Sequence, residues 1–126
     1  MNTPNDLLYS KSHEWLKEEG DGFTVGLTDY AQEQMGDIVF VNLPMVGDEL
    51  KAGEALGDVE SVKAVADVIC PVSGTVAEIN EDLLESPQRI NERPYDAWLI
   101  RVKEVEEKEE LLSPEEYIAF VESLEE

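Results

Sequence analysis

From Ile38 to Ile79 the chain is a succession of short apolar pieces broken by Gly47-Asp48, Gly53, Pro71 and Ser73-Gly74, which leaves no room for a long helix. Ile38-Val39-Phe40-Val41, bounded by Gly36-Asp37 and Pro44, is β-branched and too short for a helix, so it reads as a buried strand. Short strands punctuated in this way pack as a compact β sandwich or barrel. Gly47 and Gly53 are placed to make its tight corners, and Gly74 another.

The flanking segments extend this β unit. Tyr9 to Leu16 and Phe23 to Leu27, on either side of Glu19-Gly20-Asp21-Gly22, predict an N-terminal hairpin. Thr28 is placed to cap a short helix near 29–35, and Gly36 to end it. Residues 80–94, which contain Pro87 and Pro94, predict a loop with one helical turn, and the alternation from Trp98 to Lys103 predicts a final strand. The charged stretch Glu104 to Glu110 reads as a solvated helix or a linker. Ser113-Pro114-Glu115-Glu116 then supplies an N-cap, a first-turn proline and a capping-box glutamate for a helix near 114–124. Tyr117, Phe120, Val121 and Leu124 share the face expected to lie on the β core. At this length, residues 1–126 predict a single domain.

Thirty acidic residues against nine basic ones give a net charge of -21, which repels nucleic acid and anionic membrane surfaces and suits partners with basic docking surfaces. The single cysteine, Cys70, excludes an internal disulfide and fits a reducing compartment; it is expected to be a buried packing residue. No apolar run is long enough to span a bilayer, and the first 25 residues resemble neither a signal nor a transit peptide, so the expected location is the cytoplasm. No oligomerisation motif stands out, and a monomer is expected. His13, the only histidine, has no nucleophile or metal-ligand cluster beside it in the sequence and reads as a structural or partner-contact residue of a Ser12-to-Trp15 strand. Trp15 and Trp98 read as core residues. The carboxylates offer no specific acid–base pair. Nothing here points to a catalyst or to a metal.

One residue stands apart. Between Lys51 and Arg89 the only basic residue is Lys63, among eight acidic ones. It falls between two strand-like segments, Ala55 to Ser61 and Ala64 to Cys70, at what should be a hairpin tip. A side chain there sweeps solvent, which suits a swinging arm and not a preorganised catalytic site. By spacing alone an ordinary solvated lysine is the better description, because lysines are mostly exposed anyway.

The pattern around the lysine narrows the choice. Gly47-Asp48, Leu50, Gly53, Leu56, Val59, Glu60-Ser61-Val62-Lys63-Ala64 and Pro71-Val72-Ser73-Gly74-Thr75-Val76 resemble the lipoyl and biotinyl carrier fold, a flattened β-barrel of two similar halves that presents a modified lysine at a tight turn. Biotin carriers usually bracket the lysine with methionines; Val62 and Ala64 favour lipoate. Ser61 and Ala64 are small or polar and leave the amine accessible, and Glu60, Ser61, Val62 and Ala64 form the local surface by which a modifying enzyme would recognise the turn.

The ends specify the family. Tyr9-Ser10-Lys11-Ser12-His13-Glu14-Trp15-Leu16, Thr24-Val25-Gly26-Leu27-Thr28, Gly36-Asp37-Ile38-Val39-Phe40-Val41, Leu43-Pro44, Asn91, Pro94-Tyr95 and Leu111 to Tyr117 resemble the glycine cleavage H-protein family. Two departures stand out: Pro94-Tyr95-Asp96-Ala97-Trp98 lacks a glycine usual in that family, and Cys70 replaces a common small residue.

The resemblance implies a non-catalytic carrier with lipoic acid in amide linkage to Lys63. It implies partners as well: a P protein (glycine decarboxylase) that loads an aminomethyl group on the arm, a T protein (aminomethyltransferase) that passes it to tetrahydrofolate, and an L protein (dihydrolipoyl dehydrogenase) that reoxidises the arm. A lipoate ligase or lipoyl transferase would attach the group. It also implies a water-excluding cleft for the loaded arm, with the N-terminal hairpin and residues 86–98 as its natural location. Alternatives are a relay that donates lipoate to 2-oxo acid dehydrogenases and an unmodified acidic adaptor.

Overall fold

The computed structural model describes residues 2–125. In chain order its elements are β1 (Leu8–Tyr9), β2 (Glu14–Glu19), β3 (Gly22–Leu27), α1 (Asp29–Met35), β4 (Ile38–Asn42), β5 (Glu49–Leu50), β6 (Ala55–Ser61), β7 (Val65–Ile69), β8 (Gly74–Ile79), α2 (Asp82–Glu85), α3 (Arg89–Glu92), β9 (Trp98–Lys103) and α4 (Pro114–Leu124). The strands form a six-stranded sheet in the order β1-β2-β3-β9-β8-β5 and a three-stranded sheet in the order β4-β6-β7. Leu16, Val25 and Ile100 of the first sheet and Val41, Val59 and Val68 of the second are buried in one apolar cluster between them. Burial of that shared apolar area is what holds the two sheets face to face.

Both predicted helix caps form as their sequences require. The Thr28 hydroxyl accepts the Ala31 amide at 3.2 Å at the start of α1. Ser113 and Glu116 exchange hydrogen bonds in a capping box that starts α4. Tyr117 and Val121 of α4 are buried, while Leu124 on the same predicted face is exposed. Tyr117 stacks on Tyr9 at 4.7 Å and shares hydrogen bonds with Thr28 and His13, so α4 is fastened to the β1–β2 end of the sheet.

Several local expectations change. Tyr9 to Leu16 is not one strand: the chain folds back at Ser10–His13 and β1 pairs antiparallel with β2. His13 therefore lies in a turn with φ of +74° and not in a strand, while its ring, 4.7 Å from Tyr30, keeps the structural role expected of it. The β2–β3 hairpin is not an appendage, because β3 pairs with β9 in the middle of the large sheet. Residues 80–94 hold two helical turns, α2 and α3, each burying one side chain, Leu83 and Ile90.

The charged stretch after β9 is neither helix nor free linker. It runs extended beside Pro71–Ser73, with Ser73 donating to Glu107 at 2.8 Å and Glu109 to Pro71 at 2.7 Å. Gly47 and Gly53 take the positive φ their corners require, +95° and +90°. Gly74 instead begins β8, where it permits close approach of Lys103. The glycine-free Pro94–Trp98 segment turns by directing the amides of Asp96 and Ala97 at the Arg93 carbonyl. Cys70 is fully buried, its thiol donating to Val72 at 3.0 Å, and burial pushes that thiol up to about 11.

Candidate functional site

The turn that carries Lys63 is built by a serine. β6 ends at Ser61 and β7 begins at Val65, so Val62, Lys63 and Ala64 form the connection. The Ser61 amide donates to the Ala64 carbonyl at 2.8 Å, closing the turn. Its hydroxyl oxygen accepts the amides of both Lys63 and Ala64 at 3.1 Å. A serine hydroxyl thus satisfies two backbone donors that the tight geometry leaves without strand partners, which fixes the apex without a glycine.

The turn rests on a second corner. The Val62 amide donates to the Asp37 carbonyl at 3.1 Å, tying the apex to the segment between α1 and β4. Gly36 ends α1 with φ of +78° and ψ of -159°, a conformation open in practice to glycine alone. The aliphatic stem of Lys63 lies directly over it: a methyl group added to Gly36 would sit 3.2 Å from Lys63 Cε.

Lys63 itself is exposed. The ion pairs found among the described residues are Lys11–Glu110, Lys17–Glu19, Arg93–Asp96 and Arg101–Glu78, and Lys63 is in none of them. Val62 and Ala64 beside it are exposed too, and Ser61 is half-buried by its turn bonds. Glu60 is half-buried and lies between Phe40 of β4 and Val65 of β7 in the sheet register. The structure thus gathers all five of the expected residues at one end of the small sheet.

Two further polar residues stand out, one supporting this end of the molecule and one in the N-terminal strands. Asn91 of α3 donates to the Gly36 carbonyl at 2.8 Å and to Gln32 Oε1 at 3.0 Å, and its Oδ1 accepts the Ile38 amide at 2.8 Å. One carboxamide therefore joins α3 to the end of α1 and the start of β4, beneath the lysine turn. Glu14, at the start of β2, is buried and receives hydrogen bonds from the hydroxyls of Ser10 and Ser12. Burial pushes its carboxyl up to about 7, against the pull of those donors. It can hold or release a proton at neutral pH.

With this geometry in place, comparison with known proteins is decisive. The model of the family described as glycine cleavage H-protein matches residues 7–124. The chain belongs to the glycine cleavage H-protein family. Its relatives include the glycine cleavage system H proteins of Lachnoclostridium phytofermentans, 56% identical over 122 residues and 96% of each chain, and of Halothermothrix orenii, 51% identical over 99% of this chain and 100% of that one. A crystal structure of the glycine cleavage system H protein from Mycobacterium marinum superimposes with a TM-score of 0.88 at 41% identity, covering 92% of this chain and 96% of that one. The mainly β, carrier-type architecture expected from the sequence is thus the fold of the H-protein family.

Proposed function

We propose that residues 1–126 form one lipoyl-carrier domain and that Lys63 holds lipoic acid in amide linkage. The observation that carries this is the apex lysine: exposed, outside any ion pair among the described residues, and mounted on a turn fixed by the Ser61 hydroxyl. As a member of the glycine cleavage H-protein family, the chain is the lipoyl carrier of that system.

The residues at the turn fit the group. Acylation requires an amine that a modifying enzyme can reach, and the small, uncharged neighbours Val62 and Ala64 leave it open. The bound group supplies a cyclic disulfide that opens reductively on accepting a one-carbon unit and closes again on oxidation. Lys63 tethers it, and the rigid turn holds the anchor still while the stem swings, so successive partner sites meet a high effective concentration of the group. Those partners are the P, T and L proteins. The chain performs no turnover alone.

Intact-mass analysis of the protein from lipoate-replete cells should show one lipoyl amide, absent from Lys63→Arg. Reconstitution with P, T and L proteins should give glycine-dependent NADH formation that the same substitution abolishes, and the carrier alone should give none. An unmodified wild-type chain recovered alongside a competent ligase would refute the assignment.

A further inference from the structure

The outer face of the β4-β6-β7 sheet is divided into two rows. Phe40, Glu60 and Val65 are side by side in the register, and residues paired in this way project to the same face. The next row, two residues further along each strand, is Asn42, Asp58 and Asp67, with Asn42 donating to Asp58 at 2.8 Å. The opposite face of the same strands carries Val41, Val59 and Ala66 towards the core.

The apolar row is enlarged on purpose by backbone geometry. The β4–β6 register shifts between Ile38 and Phe40, and the extra residue of this bulge, Val39, is turned out to solvent while Ile38 stays buried. Val62 lies one residue from Lys63. Val39, Phe40, Val62 and Val65 are between 49% and 68% exposed, in a chain of net charge -21. Scattered apolar side chains need no explanation, but four of them grouped around one functional turn, with Glu60 between Phe40 and Val65, do. Asp37, Glu60, Asp58 and Asp67 border it.

We infer that this patch is the docking surface for the enzyme that acylates Lys63, and that the enzyme meets it with an apolar recess inside a basic rim. The inference rests on the carrier function proposed above and names the surface that one partner uses. Geometry selects this partner. Before modification the nucleophile sits at the end of a four-carbon stem lying on Gly36, so an acylating enzyme must cover the ground around the turn. Enzymes that act on the far end of a completed arm can stand further away. Charge complementarity selects the rim, since the acidic row and the net charge favour Lys and Arg around the recess.

The test uses the full unmodified chain, lipoate, ATP and a bacterial lipoate-protein ligase. The double variant Phe40→Ser/Val65→Ser should raise the KM for the carrier about tenfold or more, as loss of a central apolar contact does, with kcat near the wild-type value. Asp58→Asn/Asp67→Asn should raise KM and flatten the salt dependence of kcat/KM. Met45→Ser/Val46→Ser, equally apolar and exposed but in the β4–β5 connection, should change neither. Matching circular-dichroism melts for all variants separate docking from folding. Wild-type kcat/KM in the Phe40/Val65 variant overturns the docking surface while leaving the carrier function intact; a wild-type chain that gains no lipoyl group overturns both.

Discussion

Asn91 and Gly36 are joined by a 2.8 Å hydrogen bond, across 55 residues of sequence, from a side-chain amide to the carbonyl that ends α1. The same carboxamide accepts the Ile38 amide and donates to Gln32, so all its bonds converge on the corner that supports the lysine turn. Replacing Asn91 with alanine strands the Ile38 amide and the Gly36 carbonyl in a partly buried place. The expected cost is about 2 kcal/mol or more, because an unsatisfied buried group loses its desolvation energy as well as its bond. Urea denaturation of Asn91→Ala against wild type measures it; an unchanged midpoint would remove Asn91 from this role. Asn91→Asp should be at least as damaging, since a carboxylate would face the Gly36 carbonyl it cannot donate to.

Ser61 makes a separate and more local contribution. Its hydroxyl oxygen serves the amides of Lys63 and Ala64 in an exposed turn, where water can replace it. Ser61→Ala should therefore cost only about 0.5–1 kcal/mol of global stability. The turn itself should change more than the fold. Hydrogen exchange at the Lys63 and Ala64 amides should accelerate at least tenfold, with β6 and β7 interior amides unaffected. Equal protection in both proteins would show that the hydroxyl does not hold the apex.

These residues also mark where the sequence stops being informative. Both longer helices carry their own local signals: Thr28 caps α1, and Ser113 with Glu116 boxes the start of α4. The lysine hairpin is legible for the same reason, since an isolated cation between two strand-like runs needs nothing distant to be noticed. Asn91 gives no such signal, because its partners Gln32, Gly36 and Ile38 lie 53 to 59 residues away. The fold-back at Ser10–His13 is hidden because it uses no glycine or proline and places His13 at a positive φ. Residues 104–110 look like a solvated segment because their pairing partners, Pro71 to Ser73, lie 33 to 38 residues earlier in the chain and continue the β8–β9 pairing. The bulge that exposes Val39 is likewise a property of pairing, and Ile38-Val39-Phe40-Val41 reads as uniformly buried until β6 is beside it.

Glu14 gives the clearest prediction of pH dependence. Burial raises its folded-state pKa to about 7 from an ordinary value of 4.5, so between those limits the folded protein keeps a proton that the unfolded chain has lost. Unfolding then releases a proton, and the Glu14 contribution to stability falls as pH rises from 4.5 to 7 and stays at its low level above. The size is about 3 kcal/mol for a shift of this extent. The many exposed carboxylates add their own repulsion as pH rises, so the profile of the wild type alone is not diagnostic. His13, which burial shifts downward, acts in the opposite sense as pH falls. Both effects cancel in a comparison with Glu14→Gln, whose side chain is neutral throughout. Stability measured by urea denaturation at intervals from pH 4.5 to 8 should move in favour of the Gln variant by about 3 kcal/mol across that range. Parallel profiles would mean that Glu14 ionises as readily inside the protein as in water, and the buried hydroxyl cage of Ser10 and Ser12 would then be supporting a charge and not a proton.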